Sequence, residues 1–76
     1  MSLKIKYEEF EKNKEVVYDL MRDGFGITVI LDNSFEPTYK NIESLKMFDF
    51  VILNRNLKQY ENIMDYKEEI KNIIEI

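Results

Sequence analysis

Apolar and polar positions change their spacing several times along this chain, and each change marks a boundary. Residues 4–7, Lys-Ile-Lys-Tyr, alternate and predict a short strand at the edge of a sheet. From residue 8 to 23, Phe10, Val17, Leu20 and Met21 recur at helical spacing with Val16 adjoining. Glu8, Glu9 and Glu11 crowd the start of that segment, where they oppose the positive end of a helix dipole. Gly24 is a natural stop, since glycine takes the left-handed C-cap conformation without a Cβ penalty. Residues 27–31, Ile-Thr-Val-Ile-Leu, are a nearly continuous apolar run that ends in Asp32-Asn33-Ser34. A loop over 33–37 holds the only proline, Pro37, suited to an early position of the next helix. That helix spans 38–48, with Ile42, Leu45 and Phe48 as its inward stripe. Residues 50–53, Phe-Val-Ile-Leu, form a third strand ending in Asn54-Arg55-Asn56. The last segment, 59–75, carries Tyr60, Ile63, Met64, Ile70, Ile73 and Ile74 near a 3.6 period and predicts a helix. Its opposite face, with Glu61, Lys67, Glu68 and Lys71, reads as solvated.

The expected fold is therefore α/β: a three-stranded parallel β-α-β-α-β-α unit, like part of a TIM-type barrel, with residues 1–76 as a single small domain or a piece of a larger one. Nearly continuous apolar strands fit a parallel sheet covered on its faces. With right-handed crossovers and strands in chain order, all helices lie on one face of the sheet. The other face then exposes a row of aliphatic side chains, which the rest of a barrel or another copy of the chain must cover. A reversed strand order with helices on both sides is the alternative. No linker, low-complexity stretch or internal repeat interrupts the chain.

Composition narrows the chemistry. A chain of 76 residues buries only about 60% of its unfolded surface, so its stability is marginal without further cover. Apolar residues at 45% and charged residues at 34% fit a globular domain and argue against disorder. Cysteine and histidine are both absent, which removes disulfides, thiolate nucleophiles, imidazole bases and the usual zinc ligands. A metal would have to be a hard cation held by oxygen, such as magnesium, manganese or calcium. A net charge of −4 without a basic cluster disfavours nucleic acid as a partner. No apolar run approaches the ~20 residues of a membrane span, and the start carries no secretion signal, so the cytoplasm is the expected location.

Ligands of parallel sheets gather at the carboxyl ends of the strands, which makes Asp32, Asn33, Asn54 and Arg55 the candidate binding residues. Arg55 can contact phosphate through its guanidinium fork or pair with Asp32. The same Asp, Asn and Ser residues also serve as ordinary turn and cap chemistry. Tyr39, Tyr60 and Tyr66 can stack on a purine, although tyrosines more often line the edge of a core with the hydroxyl in water.

The order of elements resembles the EAL domain, the barrel phosphodiesterase family that hydrolyses cyclic di-GMP in bacterial signalling. Leu3-Lys4-Ile5-Lys6-Tyr7 matches its first strand, and Gly24-Phe25-Gly26-Ile27 opens its second. Asp32-Asn33-Ser34-Phe35 is similar to its Asp-Asp-Phe-Gly. Thr38-Tyr39-Lys40-Asn41-Ile42-Glu43-Ser44-Leu45 follows its helix start, and residues 49–57 follow its third strand. Most of this chain is covered, but only about a third of a barrel of ~250 residues. The departures concern the chemistry. The family's catalytic lysine falls on Ile52, the aspartate two residues later on Asn54, and the first-strand glutamates on Lys4 and Tyr7. Two-metal hydrolysis holds its cations ~3.5–4 Å apart between several carboxylates, and one aspartate with neutral amides does not supply that charge.

The resemblance thus implies a catalytically inactive EAL-like signalling module, with no catalytic or metal-ligating residues and no cofactor; magnesium or manganese enters only with residual activity. Cyclic di-GMP or a partner protein is the implied ligand. The alternative is a small α/β interaction module that self-associates as a homo-oligomer, unrelated to cyclic nucleotides. A magnesium-dependent hydrolase centred on Asp32 is a third and weaker expectation.

Overall fold

A computed structural model describes residues 2–76. Its elements run β1 (Ser2–Lys6), α1 (Tyr7–Lys12), α2 (Lys14–Arg22), β2 (Gly26–Ile30), α3 (Tyr39–Ser44), a 3₁₀ turn (Leu45–Met47), β3 (Phe50–Leu53), α4 (Tyr60–Met64) and β4 (Ile73–Glu75). The four strands form one parallel sheet in the order β1-β2-β3-β4. The α/β class and parallel strands agree with the sequence reading; the three-stranded count does not, because the chain adds β4.

The register sorts the side chains onto two faces. Ile5 stands level with Val29, Val29 with Val51, and Val51 with Ile73. Ile27, Val29, Leu31, Val51 and Leu53 on this face are at most 3% exposed. They pack with Phe10, Val17, Ile42, Leu45, Phe48, Ile63 and Ile70 from the connecting segments. Parallel neighbours in chain order joined by right-handed crossovers keep every connection on one side. The other face holds Lys4 level with Thr28 and Phe50, and Lys6 level with Ile30, Ile52 and Ile74.

Local chemistry sets the boundaries. The Gly24 N–H donates to the Met21 carbonyl at 3.1 Å and the Phe25 N–H to the Leu20 carbonyl at 3.0 Å. With Gly24 at φ 91°, this is the Schellman ending that the glycine predicts. The single helix expected over 8–23 is instead two, broken at Asn13, which sits at φ −134° and ψ 39°. There the Asn13 side chain and its backbone N–H both donate to the Glu9 carbonyl, each at 3.1 Å. Thr38 caps α3 by accepting from the Asn41 N–H at 3.2 Å, so Pro37 lies in the preceding loop rather than in the helix.

The helix expected over 59–75 is the largest correction. It ends at Met64, tight turns carry the chain through Ile70, and Ile73–Glu75 becomes β4. Ile63 and Ile70 still point into the core at 0% and 2% exposure. The Ile73-Ile74 pair is β-branched, and pairing with β3 gives its backbone a ladder that a helix end lacks.

Candidate functional site

The carboxyl rim of the sheet is built by the loops after β2 and β3. Asp32 Oδ1 accepts from the Ser34 N–H at 2.9 Å and from the Ser34 hydroxyl at 2.5 Å. Those two bonds hold the Asp32 carboxyl below the usual carboxylate range. Asn54 closes a similar turn, its Oδ1 accepting from the Asn56 N–H at 2.8 Å. Asn33 reaches the neighbouring loop, where its Oδ1 accepts from the Lys58 N–H at 3.4 Å. Arg55 turns the other way: its Nε lies 3.4 Å from Glu75 Oε1, and Tyr60 donates its hydroxyl to the same carboxylate oxygen. Asp32 and Asn54 thus end adjacent strands, Asn33 joins the two loops, and Arg55 is directed toward β4 rather than toward Asp32.

Gln59 is the residue that the sequence did not single out. It is only 6% exposed, and its Nε2 donates to the carbonyls of Asp32 at 2.9 Å and Phe35 at 2.7 Å. Its Oε1 is buried without a partner. One side chain therefore fastens the loop after β2 to the start of α4. Beside it opens a cleft of about 420 Å³ lined by Asn33, Ser34, Glu36, Lys58, Gln59 and Asn62. Three neutral amides share that wall with Phe35 and Pro37, and Lys58 and Glu36 are its one cation and one anion.

Donors for the two-metal chemistry of the resembled family are not assembled. Among the described residues no group of three or more Asp, Glu, His or Cys side chains stands close enough to hold a metal ion. Asp32 spends Oδ1 on Ser34, and Asn54 brings an amide in place of a carboxylate. These residues do not fit a pair of divalent cations. Of the three tyrosines, Tyr60 and Tyr66 pack partly buried against the core. Tyr39 is 65% exposed and donates to Glu43 at 2.9 Å.

A second candidate surface is the uncovered sheet face. Phe50 is 48% exposed, Ile74 42% and Ile76 58%. Ile52 adjoins them and Ile30 stands beside Ile52 on β2, both half-buried. The charged side chains that the strands place on this face are Lys4 and Lys6, both on β1. Asp49 stands at the amino-terminal rim, its carboxylate filling the space over Gly26 that a Cβ would take.

Fold and rim together define an α/β domain whose parallel sheet is covered on one face and bare on the other, with a polar carboxyl edge. No family model matches the chain, and no curated protein or solved structure does. The likeness to the EAL domain rests on the residues quoted above. None of the helices among the described residues is long and apolar enough to cross a membrane.

Ser34 was legible in the sequence, since Asp-x-Ser is a known turn signature. Gln59 and Glu75 were not. Their partners lie 24 to 27 and 20 positions away respectively, and only the sheet brings them together.

Proposed function

We propose that this chain is a small α/β interaction module that self-associates through the bare face of its sheet, without catalysis of its own. One observation carries the reading: Phe50, Ile74 and Ile76 remain 42–58% exposed on a face that no element among the described residues covers. Contiguous apolar surface of this kind marks an interaction site more often than it marks ordinary surface. At usual strand spacings the face is roughly 19 Å across and roughly 16 Å along the strands. That footprint, about 300 Å² per copy, lies well below the ~800 Å² per partner of a standard interface, so the expected dimer is weak and reversible. A second copy suits the face because the patch is apolar and free of acidic groups at its centre, which leaves no like-charge conflict when it meets itself. Strand order 1-2-3-4 with one-sided connections is also the arrangement of a barrel segment, which supports a barrel-like reading of the unit.

Sedimentation velocity over 1 µM to 1 mM tests the proposal. The expected result is a monomer–dimer equilibrium with a midpoint in the micromolar to high-micromolar range. A single monomeric species at every concentration rejects it.

A second reading draws on the rim cleft, which sits at the carboxyl ends of β2 and β3 where ligands of parallel sheets bind. Under it the module is an inactive EAL-like binder that takes cyclic di-GMP there, with Asp32, Asn33, Asn54 and Arg55 as the nearest polar groups. Calorimetric titration with cyclic di-GMP decides: saturable heat supports it, and a flat trace at high micromolar ligand rejects it.

A further inference from the structure

We propose that Asn33 is a site of spontaneous deamidation, held latent in the folded chain because Asp32 occupies the nucleophile. The reaction is a cyclisation. The main-chain nitrogen of the next residue gives up its proton and attacks the side-chain carbonyl carbon of asparagine. The new N–C bond closes a five-membered succinimide, the bond to the amide nitrogen breaks, and ammonia leaves with a proton from water. Water then opens the ring at either carbonyl, giving aspartate or isoaspartate. Water is the sole co-reactant, which is why asparagine counts among the thermolabile residues.

Six of the seven asparagines precede Lys14, Ile42, Arg55, Leu57, Ile63 and Ile73, whose long or branched side chains crowd the attacking nitrogen. Asn33 alone precedes a small residue, Ser34. Both are exposed, and they are the central pair of the turn that the Phe35 N–H closes on the Asp32 carbonyl at 3.1 Å. Chain chemistry and exposure thus single out Asn33.

The same turn restrains it. The proton that must leave is the Ser34 N–H, which is donated to Asp32 Oδ1 at 2.9 Å, and the Ser34 hydroxyl bonds to the same oxygen. Removing that proton sets a nitrogen anion against a carboxylate, so ionised Asp32 makes the nucleophile harder to form. The Lys58 N–H, 3.4 Å from Asn33 Oδ1, ties the amide to the next loop. Gln59 holds the carbonyls of Asp32 and Phe35 on either side of the reacting pair. Cyclisation has to swing the Asn33 carbonyl carbon onto the Ser34 nitrogen, and each of these contacts opposes that movement.

Conversion changes the rim. It places a second carboxylate beside Asp32 on a cleft wall whose single cation is Lys58, which disfavours an anionic ligand there. The isoaspartate product also adds one methylene to the main chain between the two carbonyls that Gln59 holds.

Peptide mapping by mass spectrometry follows the reaction at about pH 8, in buffer and in guanidinium chloride. In denaturant Asn33 should convert first of the seven. In the native fold it should convert at least about fivefold more slowly, since only locally opened chain reacts. Asp32→Ala, checked for folding by circular dichroism, should raise the rate in buffer at least about fivefold by removing the hydrogen bond. Asp32→Asn keeps an acceptor oxygen without the charge and should fall between. Amide exchange reads the same proton without a mutation, and the native Ser34 N–H should exchange at least about fivefold more slowly than in the unfolded chain. Another asparagine converting first in denaturant overturns the site. Equal Asn33 rates in buffer and denaturant, a folded Asp32→Ala chain that converts at the native rate, or an unprotected Ser34 N–H overturns the guard.

Discussion

Replacing Phe50 by alanine separates the stability of the fold from the strength of the proposed dimer, because the ring lies on the bare face and outside the buried core. With 48% of its surface still exposed, about 100 Å² of a ring that offers 150–250 Å² is open to a partner. Two copies lose about 200 Å² of apolar contact. At roughly 25 cal/mol per Å² that is about 5 kcal/mol per dimer when the cover is complete, and about 2 kcal/mol when it is partial. Since ~1.4 kcal/mol is tenfold, the dimer Kd should rise by about 30-fold or more. The monomer should lose only about 1 kcal/mol, the contact of the ring with its neighbours on the face. Val51→Ala is the control: Val51 is 0% exposed on the covered face, so its truncation should destabilise the fold. Sedimentation equilibrium gives the Kd, and urea unfolding at low concentration gives the stability. A Phe50→Ala chain that dimerises as tightly as the native one refutes the assignment of this face.

Three further outcomes follow from the rim and the turns. Ser34 holds the Asp32 carboxyl below its ordinary value, so the stabilisation from Asp32 is present above that value and fades as pH falls through the depressed one. Carbon-detected NMR should show an Asp32 midpoint below 3.8, and Ser34→Ala should move it back toward that value. Gln59→Leu removes both bonds to the carbonyls of Asp32 and Phe35 and should cost about 2–3 kcal/mol in urea unfolding, with an unchanged midpoint counting against the fastening role. Gly24→Ala places a Cβ at φ 91° and should destabilise by about 1 kcal/mol; thermal unfolding at the native midpoint would contradict the capping role.

The sequence pattern carried β2 and β3 well, because their apolar runs are bounded by glycine, proline and Asx turns that have no helical use. Gly24 was equally plain, since only one backbone state suits a glycine after an amphipathic helix. The Ile73-Ile74 segment was ambiguous for a physical reason. Its isoleucines continue the helical period set by Ile63 and Ile70, yet their branched side chains favour a strand once an open sheet edge is in reach. Missing β4 also hid the partner of Arg55, because Glu75 stands on that strand. Asn13 lies within an otherwise regular period, and only its backbone at φ −134° and ψ 39° shows that the helix is interrupted. The bare face was foreseeable from crossover handedness together with strand order, and its lopsided charge follows once the register is known.

Each strand pairs with the one immediately before it in the chain, and the sheet grows from one end to the other without a skipped neighbour. Each connection between partners is 19 residues long, so each pairing closes a loop of the same modest entropy cost. Assembly can proceed by annealing one βα segment at a time, as in solenoids. Damage to β4 should then fray a border and spare the middle of the molecule, so hydrogen exchange there should run ahead of exchange in β2.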